Sequence, residues 1–266
     1  MVAKIARFRT GDGAVRHGVL EGGDTLRVID GDVFGAWRAT DVTVPLAQAK
    51  LLAPVEPPNI IAIGLNYRAH AIESGAPLPE RPVIFIKATT ALCGPDDDIV
   101  LPKVAPNEVD YECELAIVIG KRARHVPVES ALDYVLGYTC AHDVSARDCQ
   151  LRVDAQWARG KSFDTFAPMG PWIETDMDPD NAPIRTRLNG TVMQESNTND
   201  LIFSCPELVA YISDSMTLLP GTVIMTGTPS GVGFARKPPV FLKPGDVVEI
   251  EVGGIGTLRN GVVAED

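Results

Sequence analysis

The segment from Asp110 to Gly120, DYECELAIVIG, restricts the possible folds of this chain more than any other feature. In a strand, side chains at i and i+2 share one face, about 7 Å apart, so Asp110, Glu112 and Glu114 lie together. The apolar residues 115–119 indicate that this strand enters a core. Buried carboxylates that repel one another need a cation, and oxygen ligands favour Mg²⁺, Mn²⁺ or Ca²⁺ over zinc. The alternative is an edge strand whose acidic face contacts water.

The first 58 residues predict a small β domain and a boundary. Residues 4–29 alternate in hydropathy, with turn signals at Asp12-Gly13 and Gly22-Gly23-Asp24, which is typical of an antiparallel meander. Residues 45–52 predict one or two helical turns. The prolines at 54, 57 and 58 interrupt any helix or central strand, so we expect a domain boundary there. The predicted domains are 1–55, a small N-terminal β domain, and 56–266.

The second domain mixes strand and helix patterns. Buried-strand patterns occupy 59–66, 82–88, 111–120, 222–227 and 246–252, and the glycine-rich tail 253–263 predicts a terminal hairpin. Helix patterns occupy 67–74, 129–136, which ends before Gly137, and 206–216, which begins with Pro206. Strands outnumber helices, and many turns are rich in glycine and proline. The predicted fold class is therefore α+β, mostly β, and not a doubly wound sheet.

Charge and targeting signals exclude several classes of partner. The net charge of −11 repels nucleic acid phosphates and anionic membranes, so neither is an expected partner. The N-terminus lacks the apolar stretch of a signal peptide, and the longest apolar runs fall far short of the ~18 residues of a membrane span. The five cysteines fit neither a zinc site nor a disulfide framework. We expect a cytoplasmic protein.

Six ordered blocks resemble the fumarylacetoacetate hydrolase family over residues 59–262. They are GLNYRAHAIES (64–74), YECELAIVIG (111–120), AHDVSARDCQ (141–150), GKSFDTFAPMGPW (160–172), LNGTVMQESNTNDLIF (188–203) and TGTPSGVG (226–233). The resemblance is to the acylpyruvase and oxaloacetate decarboxylase-like bacterial branch. It implies a mixed β-roll or sandwich with short helices at its rim, and a homodimer.

The resemblance also implies roles for individual residues. It makes Glu112, Glu114 and Asp143 the ligands of one divalent cation, Mg²⁺ with Mn²⁺ possible by ligand type. The remaining implied residues are a catalytic set, His70, Glu73 and Lys161, and a substrate-binding set, Arg147, Gln150 and Thr228. One departure is His142, where the family usually has asparagine before the aspartate, and this puts fine geometry around the ligand in doubt.

These residues suggest a metal-dependent reaction on a small oxo acid. Three carboxylates around a divalent cation leave one negative charge, which Arg147 and Lys161 compensate. We expect hydrolysis of a C–C bond in a 2,4-dioxo acid of the acylpyruvate or fumarylpyruvate type, through a metal-bound enolate, with His70 activating water and Glu73 supporting it. Alternatives are decarboxylation of oxaloacetate or a related keto acid, and isomerisation of an unsaturated 2-oxo diacid. A further alternative, from another class, is a non-catalytic metal-dependent binding protein.

Overall fold

Short strands make up most of the structure, a computed structural model that describes residues 3–266. The strands are β1 Lys4–Arg9, β2 Val15–Glu21, β3 Thr25–Gly31, β4 Trp37–Pro45, β5 Lys50–Leu52, β6 Ile60–Gly64, β7 Val83–Lys87, β8 Leu92–Cys93, β9 Ile99–Leu101, β10 Val109–Asp110, β11 Cys113–Ile119, β12 Val135–His142, β13 Ser145–Ala146, β14 Ala167–Glu174, β15 Pro183–Leu188, β16 Thr191–Asn197, β17 Val223–Met225, β18 Val247–Val252 and β19 Gly256–Ala264. The α-helices are α1 Arg68–Glu73, α2 Ala158–Lys161 and α3 Cys205–Ser215. A π-helical segment covers Cys149–Val153, and 3₁₀ turns cover 46–48, 89–91, 128–134, 198–200 and 233–235.

The N-terminal strands form the predicted antiparallel meander. β1 pairs with β2, β2 with β3 and β3 with β4. The first turn lies at Asp12-Gly13, where the Thr10 N–H donates to the Ala14 carbonyl at 3.1 Å. β1 also pairs with β14, so the meander extends the sheet of the second half of the chain. The domain boundary between residues 55 and 56 stays a prediction.

The prediction of one or two helical turns in residues 45–52 is confirmed for a single turn and is wrong for residues 50–52. Residues 46–48 form one 3₁₀ turn, and β5 then pairs with β1, where Leu52 lies opposite Arg7. Leu51 packs against a small apolar cluster formed by Ala6, Phe8 and Leu26. Pairing with a strand some 40 residues earlier thus overrides the local helical pattern, which a short segment cannot sustain alone.

Two open sheets pack against each other around the main core. The larger sheet has the strand order β4-β3-β2-β1-β14-β12-β11-β17-β6-β7, and the smaller has the order β16-β15-β18-β19-β9. β12 contacts β18, and β14 contacts β19, across the interface between the sheets. The tail takes part in a terminal hairpin, but it supplies only the turn and the second strand, β19. The first strand is β18, which lies before the predicted range 253–263. The prediction of an α+β, mostly β sandwich is confirmed.

The strand with the carboxylates lies in the middle of the larger sheet. β11 pairs with β12 on one side and β17 on the other, and every residue from Cys113 to Ile119 is buried. This excludes the alternative of a solvent-exposed edge strand. The acidic residues at its start therefore lie against the core, as their apolar neighbours indicated.

The helix predictions have mixed outcomes. α1 and α3 are confirmed, and α3 begins with a capping box between Ser204 and Glu207. Residues 128–134 form a 3₁₀ helix, and β12 starts at Val135, so a helix through 136 is wrong. Gly137 lies inside β12, where a Cβ atom would collide with the Glu174 carbonyl of β14. This glycine serves close strand approach and does not end a helix.

Candidate active site

Three buried carboxylates meet at the adjacent ends of β11 and β12. Glu112 precedes β11, Glu114 is its second residue, and Asp143 directly follows β12. The Asp143 N–H donates to the Glu112 carbonyl at 3.0 Å, which keeps the two chain segments in register. One oxygen of each carboxylate lies within 4.8 Å of the others, and none of the three residues is more than 4% exposed. The structure brings the predicted ligands together, and their metal-binding role stays a prediction.

Two buried lysines contact this cluster. Lys161, the last residue of α2, places Nζ 2.7 Å from Glu112 Oε2 and 2.6 Å from Asp143 Oδ2. Lys87, the last residue of β7, donates to the other carboxylate oxygen of Asp143. Burial alone would lower the pKa of Lys161, but Asp143 and Glu112 outweigh it and raise that pKa. Lys161 is therefore an ammonium ion at neutral pH.

The guanidinium of Arg147 is held by the protein itself. Its Nε donates to Asp110 Oδ2 at 2.9 Å, one terminal nitrogen to Glu112 Oε1 at 2.6 Å and the other to Gln150 Oε1 at 2.8 Å. The guanidinium also stacks on the Phe234 ring, 4.5 Å from its centroid. Three of its five N–H bonds are thus used inside the protein. Arg147, which the family resemblance implies as a substrate-binding residue, therefore has two N–H bonds left for a substrate carboxylate.

The cluster fits a hard divalent cation. Glu114 accepts a hydrogen bond from the Gly227 N–H at 2.8 Å and forms no ion pair within residues 3–266. Burial, followed by repulsion from Asp143 and Glu112, raises its pKa well above the ordinary value. Counting Asp110, four buried carboxylates face three buried cations. One additional cation with oxygen ligands would remove this excess of negative charge, and Mg²⁺ and Mn²⁺ meet that description.

His70 and Glu73 form a hydrogen-bonded pair on α1. His70 Nδ1 lies 3.3 Å from Glu73 Oε2, and the Gly231 N–H donates to both Glu73 oxygens at 2.9 and 3.0 Å. Burial would raise the pKa of Glu73, but the bonds from His70 and Gly231 lower it. As a carboxylate, Glu73 can only accept in this pair, so it favours the tautomer in which His70 Nδ1–H donates the hydrogen bond and Nε2 is left for a substrate. The helix is fixed by Ala69 N–H, which donates to Asp200 at 3.0 Å.

A cavity of about 230 Å³ lies above the cluster. Eight of the nine predicted site residues line it, and the ninth, Glu73, contacts the cavity-lining His70. The cavity has a charged floor and an apolar wall, the wall being formed mainly by Ile63, Leu65, Phe85, Leu151, Trp157 and Phe234. The cavity therefore suits a ligand whose anionic head group lies on the charged floor and whose short uncharged segment contacts the apolar wall.

Several residues at the site were not predicted from the sequence. Lys87 ends the apolar strand VIFIK, and a lysine at the end of a buried strand is a usable but weak signal. Asp110 was grouped with the carboxylates, but it pairs with Arg147 and is outside the three-oxygen cluster. His142 is fully buried, and neither ring nitrogen has a hydrogen-bond partner among the described residues. Burial and the nearby Lys87 lower its pKa to about 3, so it is neutral.

Comparison with protein families assigns the chain. The model described as fumarylacetoacetate (FAA) hydrolase C-terminal matches residues 59–263. The chain belongs to the fumarylacetoacetate hydrolase family. A second model, described as Rv2993c-like, N-terminal, matches residues 3–54. The family resemblance read from the six sequence blocks is confirmed, and the chain is an enzyme of this family.

Relatives within the fumarylacetoacetate hydrolase family have several activities in their names. The mitochondrial oxaloacetate tautomerase Fahd2a of Rattus norvegicus is 47% identical over 224 residues, which cover 83% of this chain and 71% of the relative. The solved 2-hydroxyhepta-2,4-diene-1,7-dioate isomerase of Mycobacterium marinum is 42% identical, with a TM-score of 0.89 and 99% of each chain covered. The solved fumarylacetoacetate hydrolase of Exiguobacterium antarcticum is 38% identical, with a TM-score of 0.90 and coverage of 99% and 100%.

The structure gives one observation that bears on a membrane location. Within residues 3–266, no helix combines the length and the apolar character that a membrane span requires. A cytoplasmic location, a homodimer and the absence of nucleic acid partners stay predictions.

Metal binding predicts a measurable gain in stability. Mn²⁺ at about 100 times its Kd is expected to add about 2.7 kcal/mol and to raise Tm by roughly 5–10 °C, because it binds only the folded cluster. Differential scanning fluorimetry with EDTA, Mg²⁺ and Mn²⁺ measures this. Glu114→Gln is expected to abolish the shift, whereas Glu108→Gln, in a partly exposed ion pair with Arg152, retains it. An unchanged shift in Glu114→Gln would exclude Glu114 as a ligand.

Proposed function

We propose that this enzyme catalyses keto–enol tautomerisation of a small 2-oxo dicarboxylic acid, with oxaloacetate as the first candidate. The observation that supports this most directly is the His70–Glu73 pair, which adjoins the same cavity as the three carboxylates. The names of the rat relative and of the M. marinum structure, a tautomerase and an isomerase, point to the same kind of proton transfer. Among the three reactions considered from the sequence, we therefore place isomerisation before hydrolysis.

Each residue of the site has a separate role in one proton transfer. His70 removes a proton from C3 while Glu73 holds the Nδ1–H and stabilises the imidazolium that forms. The electrons of the C3–H bond form the C2=C3 double bond, and the 2-oxo oxygen gains negative charge and then a proton. Lys161 has one N–H left beyond its bonds to Glu112 and Asp143, and we assign this N–H to that oxygen. A divalent cation held by Glu112, Glu114 and Asp143 would supply Lewis-acid charge at the same oxygen.

Tautomerisation also requires fewer positioned groups in the site than hydrolysis does. It needs one base that takes and returns a single proton, whereas hydrolysis needs an additional water molecule aligned with the distal carbonyl. The apolar wall, including Phe85 and Trp157, offers few polar groups to orient such a water. Tautomerisation therefore needs no positioned water molecule in addition to the site residues and the cation.

The proposal predicts a specific product. Enol-oxaloacetate mixed with the enzyme and Mg²⁺ or Mn²⁺ is expected to lose its enol absorbance faster than in buffer, and EDTA removes the acceleration. NMR of the product is expected to show the keto form with all four carbons. Release of pyruvate and CO₂ would instead establish decarboxylation, and an enol decay that the enzyme does not change would contradict the proposal.

Hydrolysis of an acylpyruvate is the second candidate. It is favoured by the apolar wall of the cavity, which would accept an acyl tail that oxaloacetate lacks, and by the name of the E. antarcticum structure. The same enzyme preparation incubated with a short acylpyruvate separates the two reactions, because hydrolysis yields pyruvate and a second acid.

A further inference from the structure

The side chain of Gln194 makes four hydrogen bonds behind the site. It lies on β16 and is 1% exposed. Its Oε1 accepts from the Cys113 N–H at 3.0 Å and from Thr186 Oγ1 at 2.7 Å, and its Nε2 donates to Thr228 Oγ1 and to the Pro229 carbonyl, both at 2.8 Å. The amide orientation is determined by its partners, since a backbone N–H needs an acceptor and a carbonyl needs a donor.

Three of these four bonds, to Cys113, Thr228 and Pro229, join two parts of the site. On one side, Cys113 lies between the carboxylate residues Glu112 and Glu114 on the metal-site strand. On the other side lies the segment 226–231, whose Gly227 N–H donates to Glu114 and whose Gly231 N–H donates to Glu73. The segment therefore contacts both the carboxylate cluster and the base pair.

The segment 226–231 also packs tightly on β16. Gly231 has φ +101°, and a Cβ atom there would collide with the Met193 carbonyl, next to Gln194. Gly227 has φ +103°, and a Cβ atom there would lie 2.8 Å from Asn66 Cβ. The segment thus lies directly against its neighbours. Thr226 Oγ1 bonds the start of the segment to the Leu115 carbonyl of β11, and the Gln194 amide bonds its middle, at Thr228 and Pro229, to Cys113 of β11.

We propose that Gln194 is a positioning residue that sets the placement of Glu73 and Glu114 relative to each other. It does not line the cavity, so it acts through the segment 226–231 and through Cys113. This inference rests on the proposed function for its kinetic consequence. Other side chains cannot replace it: asparagine is one methylene shorter, ionised glutamate lacks the two N–H donors, and methionine of similar length lacks both donors and acceptors.

Gln194→Met tests the proposal. We expect amide hydrogen exchange in residues 226–231 to become at least about tenfold faster, because the segment loses two hydrogen bonds. We expect kcat to fall about tenfold or more with KM within about threefold, because a misplaced base affects the chemical step more than substrate binding. If this variant does not accumulate as folded protein, Gln194→Glu supplies the same test, because its ionised carboxylate accepts from Cys113 N–H but cannot donate to Pro229.

Two controls separate positioning from stability. Thr186→Val removes the one partner of Gln194 that lies outside the site and is expected to leave kcat and exchange in 226–231 within about twofold. Asn260→Leu removes two side-chain bonds to the carbonyls of Gly94 and Asp97 elsewhere and is expected to lower Tm without changing kcat.

The outcomes distinguish this inference from the proposed function. A Gln194→Met variant with unchanged exchange, or with kcat within twofold of the wild type, overturns the positioning role, as does an equal loss of kcat in Thr186→Val. Exchange is measured without substrate. A wild type inactive on oxaloacetate would therefore overturn the proposed function, while exchange in 226–231 would still decide whether Gln194 holds the segment.

Discussion

Replacing His70 with alanine is expected to lower kcat by about 10²- to 10⁴-fold, the usual range for losing a general base. The physical reason is that the Nδ1 bond to Glu73, 3.3 Å long, orients the ring and stabilises its protonated form, and no other imidazole lines the cavity within residues 3–266. Enol-oxaloacetate turnover at saturating Mn²⁺ measures the loss.

The matched control for His70 is another histidine–carboxylate pair. His125 Nδ1 lies 3.4 Å from Asp214 Oδ1 on the surface, and His125→Ala is expected to leave kcat unchanged. The His70→Ala variant should also keep the Mn²⁺-induced rise in Tm, because His70 is not one of the clustered carboxylates. A His70→Ala enzyme with wild-type kcat would exclude this residue as the base.

Replacing Arg147 with leucine is expected to reduce the free energy of unfolding by about 3–5 kcal/mol, the cost of leaving buried charges unpaired. Arg147 is 3% exposed and bonds to both Asp110 and Glu112, which are buried as well. Urea unfolding in EDTA, followed by circular dichroism, gives the difference without any contribution from bound metal.

Two further variants test the explanation for Arg147. Arg152→Leu breaks an ion pair with Glu108 in which the arginine is exposed, and it is expected to cost less than about 1 kcal/mol. Asp110→Asn combined with Arg147→Leu should recover part of the loss, because it removes the carboxylate that Arg147 neutralised. If Arg147→Leu and Arg152→Leu had equal effects, burial of unpaired charge would not be the cause.

Local charge explains how a chain of net charge −11 can accept an anionic substrate. With every group ionised, four buried carboxylates and three buried cations give the site a formal charge of −1, and a divalent cation would change this to +1. Because the groups are buried, they are screened little by salt and dominate the field inside the cavity. The overall acidity of the protein is therefore a poor guide to the charge of its ligand.

Local sequence patterns predicted the antiparallel meander, α1 and α3, but not the strand β5 or the end of the helix at 129–136. The alternation of Glu112 and Glu114 before an apolar run predicted that both carboxylates face the same side of a strand, and the structure shows that this strand is buried. Turn signals at Asp12-Gly13 and in the glycine-rich tail predicted neighbouring strand pairs, although the tail supplies only one strand of its pair. These features depend on residues that are close in the chain, so their physical causes can be read from short segments.

The sequence by itself therefore determined the fold class, a strand with two carboxylates on one face and, through the family motifs, the set of candidate site residues. The tertiary structure placed that strand in the middle of the larger sheet. Only the tertiary structure decided what neutralises the carboxylates. It placed Lys87 against Asp143, 56 positions later, paired Arg147 with Asp110, and joined Gln194 to the segment 226–231. It also turned residues 50–52 into a strand. These contacts join residues far apart in the chain, and their energies depend on burial and distance, which no local pattern encodes.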